Sequence, residues 1–197
     1  MTILIASQVL SWIALIALGF VCIAMARQIG VLHERVAPAG ALAMNQKLRA
    51  GDKAPELSAQ SLTGELVTVG GVRGGRSQLL FFLAPDCPVC KSLLPALTTA
   101  AAAERSWIDV VLLSDGEGPQ HERYVREQGL AKFPYLVSEL IGRSYGVSKL
   151  PYAVVIDEQG HVASMGLVNS REHLDSLFEA KERGVASIQD FLARRAS

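Results

Sequence analysis

Cysteine is scarce in this chain. Three occur in 197 residues, too few for a small secreted scaffold that replaces its core with many spaced disulfides. Net charge is absent as well: 19 Lys and Arg are set against 19 Asp and Glu. No basic stripe suggests a nucleic-acid partner, and no acidic tract suggests a solvating tail. There is no internal repeat and no low-complexity segment. The most informative absence is local. From Thr2 to Ala26 no side chain is charged.

Half of all residues are hydrophobic, and much of that excess lies in this first run. As a helix it would span roughly 37 Å at about 1.5 Å per residue, enough for a hydrocarbon core of about 30 Å. A cleaved signal peptide would carry a basic stretch ahead of a shorter apolar core. No Lys or Arg precedes the run, so a retained transmembrane anchor over residues 1–27 is expected. Cys22 falls inside it and reads as a small buried hydrophobe. Residues 28–50 read as a juxtamembrane stalk, broken by Pro38 and Gly40. Arg27, Arg35, Lys47 and Arg49 follow the run, against Glu34 alone before Asp52. Positive-inside bias therefore favours a cytoplasmic domain, in conflict with the chemistry below.

Residues 51–197 alternate strand and helix signals. Glu65 to Val69 reads as a short strand, followed by a loop with Gly70, Gly71, Gly74 and Gly75. Gln78 to Leu83 and Ile108 to Leu113 are continuous apolar runs, as in strands buried on both faces. Helices are predicted from Pro88 to about Arg105, from Gln120 to Gln128 and from Ser138 to Tyr145. Tyr152 to Asp157 and His161 to Leu167 form a hairpin across Glu158-Gln159-Gly160. Asn169, with Glu172 three residues later, resembles a capping box that opens a helix to about Glu182. A last short helix is predicted from Ser187 to Arg195. This order implies an α/β domain with a mixed central sheet flanked by helices.

The remaining two cysteines form Cys87-Pro88-Val89-Cys90, between a buried strand and a helix. Cys87 then lies at a helix N-terminus, where free backbone N–H groups favour an anion. That raises the thiolate fraction, which is the nucleophilic form. Cys90, one turn on, can attack a mixed disulfide at Cys87 and release a partner. Pro88 suits the first helical position, having no N–H to waste. Asp86 opposes the effect, and the helix terminus prevails if that carboxylate faces solvent. Two other readings of a Cys-x-x-Cys are half of a zinc site and an inert pair of core thiols. Zinc needs two more ligands, and His33, His121, His161 and His173 are scattered.

These residues resemble the thioredoxin superfamily. The matches are Cys87-Pro88-Val89-Cys90 after a buried strand, Pro95 in the next helix and Leu150-Pro151 before the strand from Tyr152. The resemblance implies a thioredoxin-like fold, with Pro151 as a cis proline beside the redox pair. It also implies that Leu150 offers its backbone for strand-like pairing with a substrate segment. A plain trans proline starting a strand is the alternative. Gly51-Asp52-Lys53-Ala54-Pro55, Asp157-Glu158-Gln159-Gly160, the stalk from Ala26 to Leu42 and Ala84-Pro85-Asp86-Cys87-Pro88-Val89-Cys90-Lys91 together look like the MauD family, membrane-tethered accessory proteins for methylamine dehydrogenase. One departure concerns Phe81, six residues before Cys87. Cytosolic thioredoxins carry a buried acid there that helps deprotonate the second cysteine.

The resemblance implies a catalyst of disulfide formation or isomerisation. Cys87 and Cys90 would be catalytic, with Pro88, Val89, Leu150 and Pro151 at the substrate face. The implied partner is the disulfide-rich small subunit of methylamine dehydrogenase, with an unidentified second protein recycling the pair. No cofactor and no metal is called for. A tethered reductase of cytochrome c maturation type and a non-enzymatic chaperone on the same fold remain as alternatives. The resemblance also places the domain on the periplasmic side of the inner membrane.

Overall fold

The structure is a computed structural model. It describes residues 48–183 and, near the N-terminus, residues 5, 7, 8, 10–12 and 15–20. The chain divides into two compact units, Met1–Met44 and Asn45–Ser197.

In the first unit the described residues are helical. Ser11 Oγ donates to the Ser7 carbonyl one turn back at 3.0 Å. Leu10, Trp12, Leu15, Ile16, Leu18 and Phe20 are exposed. Among the described residues no helix is long and apolar enough to cross a membrane. The rest of the expected anchor, Cys22, the stalk before residue 48 and the helix predicted over 187–195 lie outside the described residues.

In the second unit the elements run β1 (Leu57–Gln60), β2 (Leu66–Val69), β3 (Ser77–Phe82), α1 (Pro88–Ala103), β4 (Ile108–Ser114), α2 (Gly118–Glu127), β5 (Tyr135–Val137), α3 (Glu139–Ser144), β6 (Tyr152–Ile156), β7 (Val162–Leu167) and α4 (Arg171–Glu182). The main sheet has the order β5-β4-β3-β6-β7. β3, β4 and β5 are parallel, while β6 and β7 are antiparallel additions. This is the thioredoxin-like architecture of a mixed sheet flanked by helices.

β3 is the centre, and all six of its residues are buried. Its apolar run works because alternate side chains enter different cores. Leu79, Phe81 and Leu83 join α1 and α4 in one, while Leu80 and Phe82 join α3 and the β1–β2 hairpin in the other. The one polar side chain in the middle of this strand, Gln78, is fully buried and hydrogen-bonded at both ends of its amide. Its Oε1 accepts from Gly70 N at 3.0 Å and its Nε2 donates to Thr68 O at 3.1 Å. Gly70 must be glycine: its φ is +76° and a Cβ there would lie 2.2 Å from the Pro55 carbonyl oxygen.

The structure departs from the sequence reading at three places. β1 and β5 were not expected. Each is short, and each is fixed by partners distant in sequence, β1 by β2 and β5 by β4. The cap of α4 is Ser170, not Asn169, because the Ser170 hydroxyl accepts from His173 N at 3.4 Å. Asn169 sits one residue outside and donates its own N–H to His173 Nδ1 at 3.3 Å. The terminal residues of the expected α3 helix are its caps: Ser138 Oγ accepts from Ile141 N, and Tyr145 closes the last turn.

Candidate active site

α1 begins where β3 ends, and the sequence explains the junction. β3 stops after Phe82, and Leu83 N still donates to Leu113 O at 2.9 Å. Ala84 to Asp86 then turn the chain, with Cys87 N donating to Ala84 O at 3.2 Å. Cys87 takes an extended conformation, φ −82° and ψ 109°, as the N-cap of α1. Pro88 follows in the first turn, where its missing N–H costs nothing.

Cys87 and Cys90 are joined as a disulfide, with their Cα atoms 5.2 Å apart. The two sulfurs are not equivalent. Cys87 is half-buried and Cys90 has no exposed surface. The Cys90 backbone N–H donates to Cys87 Sγ at 3.1 Å. In the reduced protein that N–H and the other free N–H groups of the first turn favour a Cys87 thiolate. No acidic residue stands in the first turn of α1, and Asp86 is exposed to solvent. Phe81 is fully buried beneath this site.

The sheet register brings the second motif to the same place. Phe82, the last residue of β3, pairs with Tyr152, the first of β6. The chain toward Cys87 and the Leu150–Pro151 bond therefore leave the sheet at one end. That bond is cis, as the resemblance implies. Pro151 itself is buried, and its carbonyl accepts from Val168 N at 3.1 Å. Its side chain adds no exposed surface to the face expected there. The exposed apolar surface at this end comes from Val89, 44% exposed, and Leu150, 36% exposed. No hydrogen bond within the described chain takes up the Leu150 backbone N–H or carbonyl, so both can pair with an extended segment.

Among the described residues, no three His, Cys, Asp or Glu gather as a metal-binding group. His161 and His173 are exposed on other elements. His121 is wholly buried, with Nδ1 3.0 Å from the Tyr135 hydroxyl. The sequence offered no signal for this pairing, since α2 and β5 meet only in the fold.

The AhpC/TSA family matches residues 50–165. The chain is 43% identical to the methylamine utilization protein MauD of Paracoccus versutus over 195 residues, covering 99% of this chain and 98% of that protein. It is 44% identical to the MauD protein of Methylobacillus flagellatus, covering 96% of this chain and 92% of the relative. Among solved structures, a thiol:disulfide interchange protein of the thioredoxin family from Chlorobium tepidum superposes with a TM-score of 0.56 at 20% identity, over 71% of this chain and 99% of that one. That likeness shows the fold. With near-complete coverage at this identity, and a Cys-x-x-Cys disulfide capping the helix after the central strand, the chain belongs to the MauD family of thioredoxin-like thiol–disulfide oxidoreductases.

Proposed function

We propose that this chain, held at the inner membrane by its N-terminal run with the domain on the periplasmic side, forms or reshuffles disulfides in the small subunit of methylamine dehydrogenase. The observation that carries the reading is the unequal pair: an attackable Cys87 capping a helix and a shielded Cys90 behind it. The relatives' names, methylamine utilization proteins, support the reading.

The chemistry balances without a cofactor. A substrate thiolate attacks Cys87 Sγ; the Cys87–Cys90 bond breaks, and Cys90 leaves with the electron pair and takes up a proton. A second substrate thiolate attacks the substrate sulfur of the mixed disulfide. Cys87 leaves as a thiolate, held by the N-terminus of α1. The substrate is oxidised by two electrons and the pair is reduced. Isomerisation starts from the reduced pair, with Cys87 attacking a wrong disulfide and leaving again once the right one has formed.

A substrate rich in cysteines faces many wrong pairings, and a mispaired chain is degraded. Cells carrying Cys87→Ala with Cys90→Ala should synthesise the dehydrogenase small subunit but not accumulate it. They should fail to grow on methylamine while growing on other carbon sources. Normal subunit levels and normal growth on methylamine would overturn the proposal.

A further inference from the structure

At the end of the sheet opposite the redox pair, the surface opens into a cleft of about 570 Å³. β3 and β4 run parallel, with Ser77 beside Ile108 at one end and Phe82 beside Leu113 at the other. Cys87 follows the Phe82 end. The cleft lies at the other end, between β2, the start of β4 and the loop before β5. The length of β3, roughly 20 Å at about 3.3 Å per residue, separates the two. The dithiol chemistry makes no use of this cleft.

Its charges are unbalanced. The lining holds Arg73, Arg76, Arg105 and Lys132 against Glu65 and Asp109. Arg76 and Asp109 pair with each other: Nε donates to both carboxylate oxygens, at 3.0 Å and 3.1 Å. The other Arg76 N–H groups reach the Ser106 and Arg105 carbonyls. Arg73 donates to the Thr68 carbonyl at 3.0 Å and lies 3.8 Å from the same Asp109. One carboxylate therefore serves two arginines. Arg105 and Lys132 are exposed, and no salt bridge among the described residues includes either. Glu65 is exposed too and joins neither of them in a salt bridge.

The rim is apolar as well as cationic. Leu66, in the lining, is 71% exposed, and Val72, beside Arg73, is 78% exposed. They are the two most exposed large apolar side chains between residues 48 and 183. The hydrogen bond from Arg73 to Thr68 fastens the loop that carries Val72 to the strand that carries Leu66, so both belong to one margin of the cleft. Phe133 adds an aromatic wall under Lys132, whose ammonium is 5.1 Å from the ring centroid. A soluble anion would be met by cations alone. Apolar side chains projecting beside unpaired cations suit an amphiphile, whose anionic head meets the cations while its apolar part receives the side chains.

We propose that this cleft docks the domain on a membrane surface. The phosphate of an anionic phospholipid is held by Arg73, Arg105 and Lys132, and Leu66 and Val72 enter the interface. The proposal goes beyond the function given above and rests on it in one respect, that a tether keeps a membrane within reach. Docked by this end, the domain turns Cys87, Val89 and Leu150 away from lipid and leaves them open to an exported chain. Attraction of basic residues to anionic lipid falls off within a Debye length, so the docking is reversible and salt-sensitive.

The test uses full-length protein carrying Cys22→Ser, reconstituted in vesicles of phosphatidylcholine alone or of an equimolar mixture with phosphatidylglycerol. With Cys87 and Cys90 held as a disulfide, one added cysteine takes a nitrobenzoxadiazole label. One protein carries it at Ala131→Cys, exposed beside Lys132, and another at Ser148→Cys, exposed two residues before Leu150. Spin-labelled phosphatidylcholine quenches a label that reaches the interface. Quenching at position 131 should rise at least about twofold when phosphatidylglycerol is present. It should fall back at about 1 M salt, where the screening length is about 3 Å. Quenching at position 148 should not change. Arg105→Glu with Lys132→Glu should remove the rise, and Arg105→Gln with Lys132→Gln should remove most of it. Leu66→Ser should lower it with every charge intact. No rise at position 131, an equal rise at both positions, or a full rise in the charge-reversed protein overturns the proposal. So does protection of position 131 in phosphatidylcholine alone that grows with protein density, which assigns the face to a second copy of the chain. Washing with alkaline carbonate tests the tether separately. Release from both kinds of vesicle overturns the anchor, and quenching at position 131 in protein added to anionic vesicles from outside then still decides the cleft.

Discussion

Cys87 and Cys90 differ in little but position, and position assigns them different work. Cys87 is half-buried and accepts the Cys90 N–H, whereas Cys90 has no exposed surface. An external disulfide can reach only Cys87. Cys90→Ser should therefore accumulate a mixed disulfide between Cys87 and the substrate, visible on a non-reducing gel and lost with reductant. Cys87→Ser should accumulate none, and an adduct confined to Cys87→Ser would reverse the assignment. The pair was legible in the sequence because its chemistry depends on local facts: a buried strand before it, a proline after the first cysteine and a helix behind. The cis Leu150–Pro151 bond was legible through the family resemblance. Burial of Pro151 was not, because its carbonyl is held by Val168, a partner beyond β7. His121 was equally silent. Its partner Tyr135 reaches it from β5, a strand fixed only by the fold.

At the scale of elements, Glu158 in the β6–β7 turn ties three parts of the domain. Its carboxylate accepts from Lys181 of α4 at 2.7 Å and from Ser77 Oγ of β3 at 2.9 Å. The Lys181 hydrogen bond, helped by Ser77, holds this carboxyl below its ordinary value, with desolvation opposing. A carboxyl depressed on folding stabilises the fold above its unfolded value. That contribution is lost as pH falls through the folded value. Glu158→Gln should cost about 1 kcal/mol at neutral pH, measured by urea denaturation. The gap to wild type should close as pH falls through the depressed folded value of this carboxyl; a gap that persists once the carboxyl is protonated would show that packing, not charge, is involved. The same scale shows what sequence pattern can and cannot supply. β3 and β4 announced themselves as apolar runs because both faces are covered. β1 alternates half-buried and exposed residues over four positions, and β5 has only three. Neither is long enough for periodicity to show. The α4 cap was misplaced by one residue because Asn169 and Ser170 are both good caps, and only the chain path after β7 decides between them.

For the whole molecule the open tension is between charge and chemistry. The described helical residues near the N-terminus present Leu10, Trp12, Leu15, Ile16, Leu18 and Phe20 outward, each 57–71% exposed. Such a face is costly in water and suited to lipid. Arg27, Arg35, Lys47 and Arg49 beyond it would by charge bias stay in the cytoplasm. A Cys87–Cys90 pair that donates disulfides would there meet a reducing pool that keeps it as a dithiol. Charge bias is strongest within about 15–20 residues of the membrane. Of the four cations only Arg27 and Arg35 fall within that distance of Ala26. Two nearby cations are a weak bias, and the chemical requirement for an oxidising compartment outweighs it. Alkaline phosphatase fused after residue 50 should therefore be active, because that enzyme folds only where its own disulfides form. A cytoplasmic reporter fused at the same point should be silent. Inactive phosphatase with an active cytoplasmic reporter would place the domain inside, and the pair would then have to work as a reductant rather than as a source of disulfides.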